Sequence, residues 1–425
     1  MKMKPLILSL ALLTGSAKIG AQQPLTLAEA QAEARAHAPQ VAELDARLRG
    51  TQAIAAQARR ILRQDPVVSS SYFNGALLGR PDENSWSVDA KLPVDFSGSW
   101  TSRSASASAD VTRTQFERDD GLRLLDEAVA VAVADVELQQ RLVDRGQRIL
   151  DLYWIAADAA HRQFNVGQVA QLDVDSADLD LSGARVSLEQ ARGELARVRT
   201  RLARLLGRAS SVDVLVADPP EAVPHERPDL AALVDRDPRV KAALAEIDAA
   251  TFERKMFETL AKPMPTFGIS SGYSRRDIPI GSFTGLPLAG ALASNWADRD
   301  LVFSLSLPIP LFDRQLEPRA RATGRLLAAE SKLRSTRADV AAELESTWGT
   351  YESAARTLDA LSGTPTLIER DAGFVEQAVR AGQFDATTRV LALRRLEDAG
   401  RRLDEAVRAL RAARAALVRR TSGLQ

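Results

Sequence analysis

From Trp86 to Phe96 apolar and polar residues alternate without a slip. Trp86, Val88, Ala90, Leu92, Val94 and Phe96 fall on one face, and Ser87, Asp89, Lys91, Pro93 and Asp95 on the other. A period of two predicts a strand. The stretch from Leu301 to Leu311 alternates as cleanly, with Leu301, Phe303, Leu305, Leu307, Ile309 and Leu311 on one side. Two further strands are expected over Val67 to Leu77 and Thr266 to Arg275. Elsewhere the period changes to that of helices. Leu181, Leu188, Leu195 and Leu202 form a ladder with a seven-residue step, and Leu396, Leu403, Leu410 and Leu417 form another. Small residues follow three positions later: Ala184, Ala191 and Val198 in the first ladder, Ala399, Ala406 and Ala413 in the second. Sustained heptads of this kind predict long helices packed nearly parallel, with the small residues allowing close approach.

The two ladders stand 215 residues apart, and other landmarks repeat with them. Leu92 to Val94 recurs as Leu307 to Ile309, and Asn165 to Gln168 as Arg380 to Gln383, at the same offset of 215. Pro39 recurs as Pro238 and Pro66 as Pro265, at an offset of 199. The chain is therefore read as two tandem repeats, residues 22–207 and 229–425, joined over 208–228 by a linker carrying Pro219, Pro220, Pro224 and Pro228. Each repeat runs helix, two strands, long helical hairpin. In the first, the opening helix is expected over Leu25 to about Arg63 and the hairpin turn near Gly167; in the second the turn is expected near Gly382. Arms of roughly 55 to 60 residues would each reach roughly 85 Å.

Residues 1–21, with Lys2 and Lys4 ahead of the apolar run Pro5 to Leu13, read as a secretory signal peptide cleaved after Ala21. The run is too short for a membrane anchor, and no later stretch approaches twenty apolar residues. The chain has no cysteine, which excludes disulfides, thiolate metal sites and lipid attachment through an N-terminal cysteine. With a formal net charge of zero and well-mixed signs, nothing points to nucleic acid.

Strands of about ten residues have the length of transmembrane β-strands, and alternation suits a lipid-facing exterior over a wet interior. Trp86, Val88, Leu92, Val94, Phe303, Leu305 and Leu307 are the expected lipid-facing residues. Four strands cannot close a barrel, and an open sheet edge cannot sit in lipid with its backbone groups unpaired. Several chains must complete the barrel together. The predicted fold is mostly α with a membrane β-barrel portion, a tube standing on the outer membrane and projecting inward.

At this point the chain resembles the outer membrane efflux (TolC) family. LTLAEAQAEARAHAPQV at Leu25 to Val41 is similar to the family's opening helix, and FNVGQVAQLDVDSADLDLSGARVSLEQARGELARVRTRLARLLG at Phe164 to Gly207 to its first hairpin. LPIPLFDR at Leu307 to Arg314 further resembles the heavy-metal cation efflux (CzcC-like) branch. The resemblance implies a homotrimer with a twelve-stranded barrel and a periplasmic α-helical tunnel of twelve arms. It also implies a periplasmic adaptor and an inner-membrane pump, commonly of the resistance-nodulation-division (RND) type. The adaptor-contact tips match Val166, Gly167, Gln168 and Val169 in the first repeat and Ala381, Gly382, Gln383 and Phe384 in the second. Some relatives carry constricting aspartates just past the second turn, where this chain has Thr388 and Leu391. The polar residues left for the tunnel entrance are Asp173, which matches an acidic tip position, Asp385 and Thr388.

Other constellations fail on inspection. Asp173 to Ala184 has Asp178 where a calcium loop needs glycine and Ala184 where it needs glutamate, so its acids are read as helix-start residues favoured by the dipole, with attraction of cations as the second reading compatible with the first. His37, His161 and His225 lack a second ligand at chelating spacing, which leaves no expected metal site, and the sequence shows no phosphate loop, nucleophile elbow or acid pair placed together, so no cofactor or enzymatic activity is expected. A periplasmic coiled-coil scaffold or adaptor would share the heptads but has no use for strands with a whole apolar face. An outlet for a drug pump or for type I protein secretion would share every feature, because the duct is common and the pump selects the cargo.

Overall fold

The computed structural model describes residues 25–60, 65–78, 83–209, 227–262, 265–279, 293–307, 315–381 and 386–421. The expected signal peptide, most of the linker, and Gly382, Gln383, Phe384 and Asp385 lie outside the described residues. The order is α1 (Leu27–His37), α2 (Pro39–Ala58), β1 (Val67–Asn74), β2 (Asn84–Pro93), α3 (Ser99–Asn165), α4 (Gln171–Leu206), α5 (Leu230–Val234) and α6 (Pro238–Leu260). It continues with β3 (Thr266–Pro279), β4 (Ala293–Ser306), α7 (Leu316–Ala360), α8 (Thr364–Arg380) and α9 (Ala386–Thr421).

The opening helix, expected as one piece from Leu25 to about Arg63, is two. Ala38 is extended (φ −63°, ψ 132°) because Pro39 follows it, and Pro39 restarts the chain as the first residue of α2. α1 begins with a capping box written into TLAE: the Thr26 hydroxyl accepts the Glu29 amide at 3.3 Å and the Glu29 carboxylate accepts the Thr26 amide at 2.8 Å. The hairpin arms are also unequal, against the expected 55 to 60 residues. α3 has 67 residues and α4 has 36, while the second hairpin's first arm is split into α7 and α8. The split falls at Leu361–Gly363, where Pro365 follows Thr364 at the start of α8 and removes a helix donor.

The element ends keep the offsets of the sequence landmarks. α2 and α6 start at Pro39 and Pro238, and β1 and β3 at Val67 and Thr266, each 199 apart. α3 and α8 end at Asn165 and Arg380, α4 and α9 start at Gln171 and Ala386 and end at Leu206 and Thr421, each 215 apart.

The strands form one antiparallel sheet in the order β1-β2-β3-β4. Their bounds differ from the expected ones in an instructive way. β1 stops at Asn74 because Gly75–Leu78 forms a short 3₁₀ turn. β2 starts two residues early, at Asn84, and β4 eight residues early, at Ala293, because residues without an apolar–polar alternation pair there through the backbone, those of β2 with β1 and β3 and those of β4 with β3. β2 and β4 also stop short of the expected Phe96 and Leu311, at Pro93 and Ser306, so Val94 and Leu307 follow the strands. Val94 still donates its amide to Pro265 at 3.1 Å.

The described chain divides into two compact units, each drawing on both halves of the sequence. One holds α1, α3 from Leu124 onward, α4, the end of α7 from Gly349, α8 and nearly all of α9; its core joins Ile149, Tyr153, Ala157, Val174, Ala177, Leu181, Val375 and Leu393. The other holds α2, the sheet, the start of α3, α5, α6 and most of α7; its helical core joins Leu233, Val240, Ala243, Leu333, Val340 and Leu344. In that second unit Arg239 donates to Asp237 and Glu343, and Arg420 donates to the same two carboxylates, tying the start of α6 to α7. Asp237 also caps α6 through the Arg239 amide at 2.8 Å. Hydrogen bonds from Arg239, against a smaller opposing effect of burial, hold the Glu343 carboxyl below its ordinary range.

Candidate functional site

The register of the sheet sorts its residues onto two faces of opposite character. Residues directly opposite one another share a face. One face carries the rows Leu92, Phe267, Leu305; then Val68, Ala90, Ile269, Phe303; then Ser70, Val88, Ser271, Leu301; then Tyr72, Trp86, Tyr273, Arg299. The other carries Val67, Lys91, Gly268, Ser304; Ser69, Asp89, Ser270, Val302; Ser71, Ser87, Gly272, Asp300; and Phe73, Ser85, Ser274, Asp298, so it is mostly polar with Val67, Phe73 and Val302 as its apolar members. The alternation predicted for the strands at Trp86 and Leu301 is in phase across β2, β3 and β4 from Leu92 to Trp86, and β1 adds Val68 and Tyr72 to the same face. On the first face, Trp86, Phe303 and Leu305 are 46%, 75% and 66% exposed in the single chain, left open by the described residues.

On the second face hydroxyls and carboxylates meet. The Ser71 and Ser87 hydroxyls lie 2.9 Å apart, and the Ser87 hydroxyl donates to Asp89 at 3.3 Å. Gly272 is the residue over which the Asp300 side chain lies: a Cβ there would meet an Asp300 carboxylate oxygen at 2.7 Å. At the foot of the sheet Phe96 packs edge-on against Phe267, ring centres 6.1 Å apart. Asp95, 8% exposed, accepts the Ser97 amide at 2.9 Å and the Ser99 hydroxyl, and so fastens the end of β2 to the start of α3.

The first hairpin turn is built around one glycine. Gly167 has φ 75°, donates its amide to Phe164 at 2.8 Å, and lets the Gln168 amide reach the Gln163 carbonyl at 2.9 Å. This pair of bonds closes the end of α3, and a positive φ favours glycine at that position. Val166 is exposed, Gln168 is exposed, and Val169 turns inward onto the core at Val174. Asp173, expected as a tunnel-entrance residue, is held as a cap: its carboxylate accepts the Ala170 amide at 3.1 Å. Near the turn His161 faces Asp178 at 3.1 Å across the α3–α4 hairpin. Of the second turn, Ala381 and Thr388 are exposed and the residues between Ala381 and Ala386 lie outside the described ones.

Both leucine ladders point inward. Leu181, Leu188, Leu195 and Leu202 are buried, as are Leu410 and Leu417, while Leu396 and Leu403 are half-buried. The sequence reading missed the charges between the hairpins. Arg145 of α3 reaches Asp404 of α9 at 2.6 Å, Arg408 reaches Asp135 at 2.7 Å, Arg419 reaches Glu127 at 2.9 Å, and Arg411 pairs with Glu137. Gly400 makes room for the first of these, since a Cβ there would overlap the Arg145 guanidinium. The one signal in the sequence was a glycine four residues ahead of an acid on a heptad face.

The sequence profile of the outer membrane efflux protein family matches residues 30–208 and 230–423. None of the curated proteins compared with the chain matches it. Among solved structures, the outer-membrane channel OprN has a TM-score of 0.73 at 20% identity, covering 93% of this chain and 90% of its own. The outer membrane protein VceC from Vibrio cholerae has a TM-score of 0.71 at 16% identity, covering 93% and 95%. CusC, described with transmembrane channel formation, has a TM-score of 0.69 at 15% identity, covering 93% and 92%.

Proposed function

The chain belongs to the outer membrane efflux protein family, and on that premise we propose that three copies form one passive duct whose strands close a shared twelve-stranded barrel. The observation that carries this is the sheet: an apolar face in phase across β2, β3 and β4 and extended by β1, left open by the described residues, with β1 and β4 as open edges. β1 and β4 run antiparallel, so β4 of one copy can pair with β1 of the next and the alternation of direction continues around the ring. In this reading Trp86, Val88, Leu92, Val94, Phe303, Leu305 and Leu307 meet lipid, and the row Tyr72, Trp86, Tyr273 supplies the aromatic girdle at one interface. The serine-rich face lines the water path.

We assign the hairpin turns to a periplasmic adaptor, with an inner-membrane pump of the RND type behind it. A duct with no catalytic group must be coupled to its pump by contact, and the turn at Gly167 presents exposed Val166 and Gln168. Heavy-metal cations are the proposed cargo. Two observations support this: the LPIPLFDR stretch at Leu307 to Arg314, and an inner face bearing Asp89, Asp298 and Asp300 against Lys91 alone among the rows above. Such a surplus of carboxylate favours passage of cations.

The test is a deletion strain complemented with the wild type or with Gly167→Trp plus Gly382→Trp. Loss of resistance to cobalt, zinc, cadmium or copper on deletion, with drugs unaffected, supports the cation reading; sensitivity to drugs alone, or a lost secreted protein, overturns it. The tip variant should keep membrane insertion and lose both adaptor cross-linking and resistance. Full resistance with both tryptophans in place would overturn the docking role.

A further inference from the structure

The apolar face of the sheet ends in charge of one sign. Going outward from the helices, the rows that begin with Leu92, Val68 and Ser70 hold no ionised side chain. The fourth row, Tyr72, Trp86, Tyr273 and Arg299, brings the first guanidinium, and the strands continue with Asn74, Asn84 and Arg275 on the same side. Arg299 lies opposite Tyr273, and Arg275 follows Tyr273 by two residues, so the two arginines are diagonal neighbours with backbones about 7–8 Å apart. Arg299 is exposed and Arg275 half-buried. The carboxylates beside Arg299 in the chain, Asp298 and Asp300, fall on the opposite face.

The level of these charges follows from the length of the apolar face. From Leu305, in the row nearest the helices, to Arg299 is six residues of β4, about 20 Å of strand and about 15 Å of height at a tilt of about 40°. Leu307 and Phe96, both exposed past the helix-side ends of the strands, add about 5 Å below, and an arginine stem reaching outward adds about as much above, which spans an apolar band about 25 Å tall. Tyr72, Trp86 and Tyr273 mark the same outer edge, as aromatic rings do at a membrane interface.

Two amides complete the set of donors. The Asn74 carbonyl oxygen accepts the Ala76 amide at 2.9 Å, which leaves its NH₂ to donate elsewhere, and Asn84 stands opposite it on β2. We infer that Arg275 and Arg299, with Asn74 and Asn84, form a binding surface for the phosphorylated headgroups of outer-leaflet lipid, one surface on each copy. Arginine suits that task because its planar fork donates two parallel hydrogen bonds to a phosphate. Asp277 comes two residues after Arg275, so the guanidiniums stand between it and the apolar band. The inference rests on the outer-membrane channel reading above and names the lipid chemistry that the rim of the sheet recognises.

The full-length protein, purified from the outer membrane in mild detergent, is titrated with lipid A, with lipid A stripped of its phosphates, and with inorganic phosphate, and bound lipid is counted by native mass measurement. The wild type should retain lipid A on three-chain particles and bind the phosphate-free form about tenfold more weakly or worse. Arg275→Gln combined with Arg299→Gln should weaken lipid A binding about tenfold, whereas Lys91→Gln, which removes a cation from the inner face, should leave it unchanged. Lysine at both arginine positions should keep part of the binding, and guards against a fold defect. Equal retention of lipid A by the wild type and the double glutamine variant, equal binding of the phosphate-free lipid, or displacement of lipid A by inorganic phosphate at the same concentration would overturn the assignment. Three-chain particles indifferent to the phosphates sink this inference alone, and a single chain sinks the channel reading with it.

Discussion

The first long hairpin and the second are laid out to one length but differ in continuity. α3 runs unbroken from Ser99 to Asn165, whereas its counterpart is interrupted between Ala360 and Thr364. At the offset of 215, the break Leu361, Ser362, Gly363, Thr364, Pro365 stands opposite Gly146, Gln147, Arg148, Ile149, Leu150, which stays helical. No residue is gained or lost; a proline in place of Leu150 suffices. The same contrast appears in charge. The second repeat's cluster of Asp237, Arg239, Glu343 and Arg420 faces Ala38, Gln40, Ala128 and Leu205 in the first, at offsets of 199 and 215. Duplication preserves length and apolar register, because both are fixed by the shared core, while breaks and ion clusters are free to diverge.

The sharpest way to break the comparison is at a position that the repeats share in register and not in burial. Asp404 has a side chain 2% exposed and holds Arg145; its counterpart Glu189 is 68% exposed and holds only Arg192 on its own helix. Asp404→Ala should cost about 3–5 kcal/mol by stranding a buried guanidinium, and Glu189→Ala about 0–1 kcal/mol. Urea unfolding of the detergent-solubilised protein measures both, and equal losses would erase the distinction. Next in size is an exchange of the break itself. Leu150→Pro should cost about 3 kcal/mol or more in the continuous helix, while Pro365→Ala should be tolerated; comparable losses of folded protein on heating would mean that the proline does not make the break.

Smaller effects belong to single glycines. Gly167→Ala forces a side chain to φ 75° and should cost about 1–2 kcal/mol. Gly363→Ala in the break of the second hairpin, with nothing within 4 Å, should be neutral in the same melting series. The smallest effect is acidic. The Glu343 carboxyl is held below its ordinary range, so its contribution is complete above that range and is lost as pH falls through the lowered value. A decline in stability below about pH 4.3 that Glu343→Gln lessens is expected, and an unchanged acid profile in that variant would contradict it.

Much of this was legible in the chain. The alternation in Trp86 to Leu92 and Leu301 to Leu305 located the sheet's apolar face, because each apolar side chain must share a face with its cross-strand neighbours. The ladders at Leu181 and Leu396 located the helical seams for the same reason. The early part of β4 was illegible: Ala293 to Asp300 pairs through its backbone, which no side-chain pattern reports. The buried α3–α9 ion pairs were illegible because Arg145 and Asp404 are 259 residues apart and ordinary in their local contexts. Asp173 was read for its charge, and its carboxylate caps a helix, a use that depends on where α4 starts.

The central claim is that this chain is one third of a channel. Native mass measurement of the protein extracted from the outer membrane in mild detergent tests it most directly. Three copies per particle is the predicted result, because the open edges β1 and β4 can be satisfied in lipid only by neighbouring chains. A stable, folded single chain in that detergent would contradict it.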